Sequence, residues 1–366
     1  MSKFEPSPSL PAPISTIGPI AWVRKNLFSS IANTAVTLFC IYLLSVIIPP
    51  ILEWAFFNAD WSGTTEADCS KDGACWVFIG AWFNQLIYGD YPIDQQWRIN
   101  IVLFALLAII SMQYLLPDDK KKTIGLYSFI AFPFVAMAIL YGGFLGLEVV
   151  DNNYWGGFTL NIFLATGGIL MALPIGVFWA LGRRSDMPLI RIPSIISIEV
   201  FRGVPLITIL FMGSVMLPLF FSAGTEIDKL LRAFIMITLF QSAYMAEVIR
   251  GGLQAIPQGQ YEAADALGLG YWQKMYLIIL PQALKISIPN IVNTFIALFK
   301  DTTLVLIIGL FEILSVSNNA LQNSKWLGGH HIEGYVFVAL MFWVCCFIMS
   351  RISVSIEEKL NTGHKR

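Results

Sequence analysis

The sequence predicts an all-α polytopic membrane protein, and three observations carry that expectation. First, 56% of its 366 residues are hydrophobic and only 13% charged, where a soluble domain carries about 45–50% apolar and about 25% charged residues. Second, eight apolar runs reach spanning length, near 28–50, 98–116, 124–147, 159–181, 193–220, 231–249, 287–316 and 334–354. A helix needs about 20 residues to cross the hydrocarbon core, so about eight transmembrane helices are expected. Third, Lys and Arg collect on alternate sides of these runs.

Taken in order, residues 1–26 carry Pro6, Pro8, Pro11 and Pro13 and read as a disordered cytoplasmic tail. The first apolar run starts near Leu27 with no small-residue cleavage site after it, so it is expected as a retained helix rather than a secretory signal. The loop that follows holds Cys69 and Cys75 in the pattern CSKDGAC. A disulfide staples this loop if its side of the membrane is oxidising; two free thiols are the alternative. Residues 76–88, WVFIGAWFNQLIY, are apolar but short, as an interfacial segment is. The seventh run is long enough to hold a break.

Orientation follows from the cations. With the N-terminus inside, the inner segments hold fifteen Lys and Arg: Lys3, Arg24 and Lys25; Lys120, Lys121 and Lys122; Arg183, Arg184 and Arg191; Arg250, Lys274 and Lys285; Lys359, Lys365 and Arg366. The outer segments hold three, Lys71, Lys229 and Lys325. The positive-inside rule then places both termini in the cytoplasm and the cysteine loop outside. The net charge of -1, with no basic-aromatic interleaving, gives nucleic acid no footprint.

The longest inner loop, 250–286, reads RGGLQAIPQGQYEAADALGLGYWQKMYLIILPQALKI. Pro257 and Gly259 punctuate a turn, and YEAADALG follows as a short helix ended by Gly268. The small Ala263, Ala264 and Ala266 admit another backbone, while Tyr261, Leu267, Tyr271 and Trp272 supply apolar anchors. Such a helix suits a groove on a partner; an amphipathic helix resting on the headgroups is the alternative.

Glu262-Ala263-Ala264, Gly268 and Ile278-Ile279-Leu280-Pro281 meet in full the spacing EAA, three residues, Gly, nine residues, Ile-x-Leu-Pro. The loop resembles the EAA loop of importer-type ABC permeases. FRGVPLI at 201–207, AYMAEVIRGG at 243–252, IPQGQYEAADALGLG at 256–270, LPQALKISIPN at 280–290 and LFKDTTLVLIIGL at 298–310 narrow the resemblance to the polar amino acid (histidine/glutamine/arginine/opine) permease family. It covers about 157–356, five spans. Residues 27–156, with three further spans, resemble the extension of the long permeases for broad-specificity L-amino acid uptake. A short tail, 357–366, closes the chain.

The resemblance implies a C-terminal type I importer core in the bacterial inner membrane, moving polar L-amino acids inward. It implies as partners two ATP-binding subunits, a periplasmic amino-acid-binding protein and a second permease, a paralogue or a copy of this chain. It also implies Tyr261, Glu262, Ala263, Ala264, Gly268 and Leu269 as ATPase-coupling residues. The chain has no GxxxxGK[ST] phosphate loop, so ATP and Mg are expected on a separate subunit and no cofactor on this one.

Ionisable residues at membrane depth mark pathways by default, since insertion costs about 2.5–3.5 kcal/mol each. Lys300 and Asp301, beside Thr302 and Thr303, lie in the seventh run; Glu199 and Arg202 lie in the fifth; Gln241, Tyr244 and Glu247 recur every three residues in the sixth. Gln241, Tyr244, Glu247, Lys300, Asp301 and Thr302 are candidate path residues, because a zwitterion needs partners for its ammonium and its carboxylate. Internal pairs, Glu199 with Arg202 or Lys300 with Asp301, are the structural alternative, and Glu247 alternatively pairs with Arg250. Glu199 and Arg202 read as structural or gating. His330, His331 and His364 are too few for a metal site. An ion-coupled carrier would show an inverted repeat, and none is visible between the halves; a membrane enzyme would show a metal cluster or nucleophile elbow.

Overall fold

The computed structural model describes residues 18–70, 72–115, 118–222, 227–326 and 331–360, without the side chains of 113–123, 126, 129 and 359–360. The proline-rich tail, Lys71, the Lys120–Lys122 side chains, His330 and His364 thus lie outside the described residues. The chain divides into two compact units, Met1–Val77 and Phe78–Arg366, and among the described residues no strand forms beyond two isolated bridges.

In the first unit, α1 (Gly18–Asn26) is followed by α2 (Ile31–Leu52), which starts where the Ser30 side chain accepts from the Asn33 amide. No residue of α2 is buried, as expected of a helix whose solvent is lipid. The next loop is tied internally: Asp60 N donates to Ala74 O, Ala74 N to Trp54 O, and Trp76 N to Asp60 O, all at 2.8–2.9 Å. Cys69 and Cys75 are joined by a disulfide.

The second unit continues α3 (Trp76–Tyr88) into α4 (Gln96–Leu115), α5 (Asp118–Tyr141) and α6 (Gly157–Arg183). Helix α7 (Pro188–Gly203) and α8 (Leu206–Phe211, continued to Phe220) form a bent pair, before α9 (Lys229–Gln254) and α10 (Gln258–Ala266). Then α11 (Tyr271–Lys274) runs without interruption into α12 (Leu280–Asp301), and α13 (Ile313–Leu321) and α14 (His331–Leu360) complete the bundle.

Six helices in the described residues are long and apolar enough to span, or seven if the bent pair counts as one. The expected run at 124–147 is occupied by α5, whose apolar part is the shorter Ile130–Tyr141. Residues 76–88, expected as an interfacial segment, form α3.

Two expected spans take a different form. The run at 193–220 turns through 107° between Gly203 and Leu206, because Pro205 drives Val204 into extended backbone (φ -114, ψ 135). The seventh run starts earlier and ends earlier: one 38-residue helix covers Tyr271–Ile308. It stops at Gly309, whose φ of 72° is left-handed, a conformation only glycine adopts without strain.

Two π-helical turns, Met212–Met216 and Met275–Ile279, share a cause. Their central residues, Ser214 and Leu277, each stand four before a proline, Pro218 and Pro281. A proline supplies no N–H and its ring presses the carbonyl four residues back, so the helix widens there by one residue. The carbonyl freed at Ser214 accepts instead from Arg232 Nη1, which gives that membrane-depth cation its partner.

Helices α6 and α9 pack along their lengths, and α12 packs on α9, α6 and α14. Small residues permit the approach. A Cβ added at Gly176 would lie 2.7 Å from Met245 Cβ, and one at Gly252 would lie 2.5 Å from Ala283 O. Between helices in lipid, where the surroundings are as apolar as the core, close van der Waals packing of this kind supplies most of the attraction.

Candidate functional site

The predicted EAA helix is α10. Pro257 precedes it and Gly268, at φ +70°, ends it, with Gly268 N donating to Asp265 O at 2.9 Å. It is held from within by Ala264, which is fully buried, by Tyr261 Oη donating to Leu253 O at 3.3 Å, and by a 2.5 Å Lys274–Asp265 ion pair. Arg184 Nη1 donates to Tyr261 Oη at 3.2 Å. One expectation changes accordingly. Ala264 and Tyr261 face this chain, leaving Glu262, Ala263, Ala266 and the exposed Leu267 on the outer surface. A Cβ at Gly268 would meet nothing within 4 Å, so within this chain its requirement is the left-handed backbone rather than close contact. Leu269, which donates its N–H to Ala264 O at 3.2 Å, closes the turn.

Between α9 and α12 lies a cavity of about 450 Å³ lined by Phe240, Gln241, Tyr244, Val248, Asn290, Asn293, Thr294, Ala297 and Asp301. Gln241, 2% exposed, donates through Nε2 to Thr294 O at 2.7 Å. Tyr244 packs on Phe240, with ring centroids 4.9 Å apart. The lining offers amides, two hydroxyls and one carboxylate. This set can hold an ammonium at Asp301 and a carboxylate at the amides.

Of the expected path residues, the structure brings Gln241, Tyr244 and Asp301 to this cavity and leaves out the other three. Glu247 points elsewhere because each step of three residues falls about 60° short of a turn, so it lies about 120° round from Gln241. Lys300 is exposed, and among the described residues it forms no ion pair with Asp301, since neighbouring helical side chains diverge by about 100°. Thr302 is fully buried in a separate network: Asn161 Nδ2 donates to its Oγ1 at 2.9 Å and to Glu312 Oε2 at 3.3 Å.

Glu247 instead anchors an ionic cluster at the α10 end of the bundle. Arg183 Nη1 stands 2.8 Å from Glu247 Oε1, Arg250 Nη2 2.8 Å and Arg202 Nη1 3.5 Å from Oε2. The same Arg183 nitrogen also meets Glu199 Oε1 at 2.8 Å. The Glu199–Arg202 pair does not form; each takes a partner on another helix, so the cluster ties α6, α7 and α9 together. The alternative of Glu247 with Arg250 is present as one limb of it. Arg202 also lies over the Tyr244 ring, 5.7 Å from its centroid, placing the cluster next to the cavity.

Three sets of residues escaped the sequence reading. Arg183 was counted only for topology, although its place at the end of an apolar run was a signal. Asn290, Asn293 and Thr294 form a polar stripe on α12 at helical spacing. Glu312, a lone acid just past Gly309, caps α13 by accepting from Ser315 N at 2.9 Å and Leu314 N at 3.0 Å. Among the described residues no His, Cys, Asp and Glu group could hold a metal ion.

Residues 172–362 match the model of the family described as binding-protein-dependent transport system inner membrane component. The chain is 54% identical to the inner membrane amino-acid ABC transporter permease protein YhdY of Escherichia coli (strain K12), over 97% of each chain. The chain belongs to the amino-acid ABC transporter permeases. This permease is also 38% identical to the glutamate/glutamine/aspartate/asparagine transport system permease protein BztC of Rhodobacter capsulatus, covering 97% of this chain and 96% of that one. In a solved structure titled "Crystal structure of an amino acid ABC transporter with histidines", one chain is matched at 28% identity and TM-score 0.50, over 56% of this chain and 92% of that one. As a permease subunit of an amino-acid ABC importer, the protein is a multi-pass component of the inner membrane, and its EAA motif is the α10 helix.

Proposed function

We propose that this permease carries polar L-amino acids into the cytoplasm through the cavity between α9 and α12. The observation that carries the reading is the cavity lining: Gln241, Tyr244, Asn290, Asn293, Thr294 and Asp301 converge there on one small space between α9 and α12. A zwitterion with a polar side chain is the solute such a surface serves. The side-chain amides named for the Rhodobacter relative's system, glutamine and asparagine, fall in the same class.

Both termini and α10 lie in the cytoplasm, supported by the fifteen-to-three division of Lys and Arg. A periplasmic binding protein delivers substrate, a second permease completes the path, and two separate ATPase subunits hold ATP and Mg. Glu262, Ala263 and Leu267 on the outer face of α10 receive the ATPase, and Tyr261, Ala264, Gly268 and Leu269 hold that face in shape. The first three spanning helices, 27–156, are an extension beside the 157–356 core.

Uptake by proteoliposomes holding this permease with its ATPase and binding protein tests the reading. Gln241→Ala and Asp301→Asn should each lower uptake of glutamine, glutamate or arginine at least tenfold while ATPase assembly persists. Unchanged uptake in both variants removes the cavity from the path. A cysteine beside Lys121 should react only with a permeant thiol reagent.

A further inference from the structure

The N-terminal extension and the last outer loop meet at a second cavity, of about 510 Å³, that the transport path does not use. Its walls include Trp82, Asn84 and Gln85 of α3, Asp90 and Tyr91 of the turn into α4, and Trp326 beyond α13. Its size falls within the about 300–1,000 Å³ common for small-molecule sites. Under the topology proposed above it opens on the side opposite α10.

Its chemistry is specific. Asp90 is exposed, accepts from Gln85 Nε2 at 2.7 Å through Oδ1 alone, and has no cation beside it among the described residues. Among the described residues no donor meets Oδ2. Trp82, Tyr91 and Trp326 line the same cavity as that carboxylate, and Tyr91 is fixed by Tyr91 Oη donating to Leu140 O at 2.7 Å. One acid among aromatic faces is the arrangement that selects an ammonium group, by a charge-assisted hydrogen bond and by cation–π attraction. Among the described residues, Trp82 Nε1–H is sealed from water and has no acceptor; turned into the cavity, it would donate to a ligand carboxylate.

We propose that this cavity is an outer binding site for a free amino acid, with the α-ammonium on Asp90 and the carboxylate toward Trp82 and Gln85. The inference rests on the topology and substrate class given under the proposed function. It adds a site distinct from the α9–α12 path and assigns a ligand role to the extension.

Calorimetric titration of the permease–ATPase complex in nanodiscs, without binding protein or ATP, tests it. L-Arginine and L-glutamine should each bind saturably, N-acetyl-L-glutamine at least tenfold more weakly. Asp90→Asn should weaken the two amino acids at least tenfold, and Asp90→Glu should restore most of the loss. Gln241→Ala, in the inner cavity, should leave this site intact. The proposal is overturned if no saturable binding occurs, if Asp90→Asn binds like wild type, or if Gln241→Ala alone abolishes binding. It is equally overturned if Asp90→Asn changes only the response to the binding protein, which would make Asp90 a docking contact. Uptake by the wild-type complex is measured in parallel: its absence would fault the proposed function, whereas a failed titration with normal uptake would fault this site alone.

Discussion

Replacing Glu247 by Gln removes the negative centre of the cluster at the α10 end while keeping the side chain's shape. Three guanidinium groups at 2.8, 2.8 and 3.5 Å then face one remaining acid, Glu199. The size of the effect follows from exposure. Removing one partner of a fully buried pair costs about 3–5 kcal/mol, whereas exposed pairs are worth about 0.2–1 kcal/mol each. Glu247 is 16% exposed but its arginines are 26–35% exposed, so solvent screening places the loss at about 1–3 kcal/mol. At about 1.4 kcal/mol per factor of ten, this shifts the balance between the conformer that holds α6, α7 and α9 together and one that parts them by about 5- to 150-fold. Uptake of arginine, glutamine and glutamate should therefore fall by similar factors, while ATP hydrolysis without binding protein rises. The assay is uptake and ATPase rate in proteoliposomes at low and high salt, with the wild-type basal rate rising toward that of the variant as salt screens the cluster. A loss confined to cationic substrates, with basal hydrolysis unchanged, would refute the cluster as a lock and return Glu247 to the substrate path.

Three further outcomes are expected. Gly268→Ala should destabilise the end of α10 by about 1–2 kcal/mol through its left-handed backbone, with Gly268→Asn milder; co-purification of the ATPase with tagged permease measures the loss. Gly176→Leu should force α6 off α9, since even a Cβ would lie 2.7 Å from Met245 Cβ, and overpacking of this kind costs about 1–3 kcal/mol; the thermal midpoint in detergent should fall. The Asp68 carboxyl is held below the usual carboxylate range by the Thr64 and Thr65 amides. Its contribution to loop order is therefore present above the unfolded carboxylate pKa and lost as pH falls through the lowered folded value, so fluorescence of the nearby Trp61 should change only in strong acid.

Much of this architecture was legible because lipid imposes a simple rule: long apolar runs announce helices. The EAA spacing placed α10 to within a few residues. The breaks were harder. Pro205 and Gly309 lie inside runs whose mean hydropathy is uninterrupted, so composition alone hides a 107° turn. The site was half legible. Gln241, Tyr244 and Asp301 stood out as polar groups in apolar helices, but their helical phase with α12 is a tertiary fact. Of the partners of Glu247, Arg250 was legible and Arg183 was not, for the same reason: Arg183 is 64 residues away in the chain and meets it only because glycines let α6 and α9 approach.

The uninterrupted helix from Tyr271 to Ile308 has a mechanical consequence. At 38 residues and about 1.5 Å per residue it is a rod of roughly 57 Å. One end abuts the EAA turn, and Asn290, Asn293, Thr294 and Asp301 run from the middle of the rod toward the other end. A tilt of about 5° about the α10 end would displace the far tip by roughly 5 Å over that length, comparable to the width of the solute's own side chain. If ATPase motion enters at the EAA turn, no relay of small side-chain rearrangements is required to reach the polar stripe. On the proposed path, this helix would act as a lever with one wall of the path on its long arm.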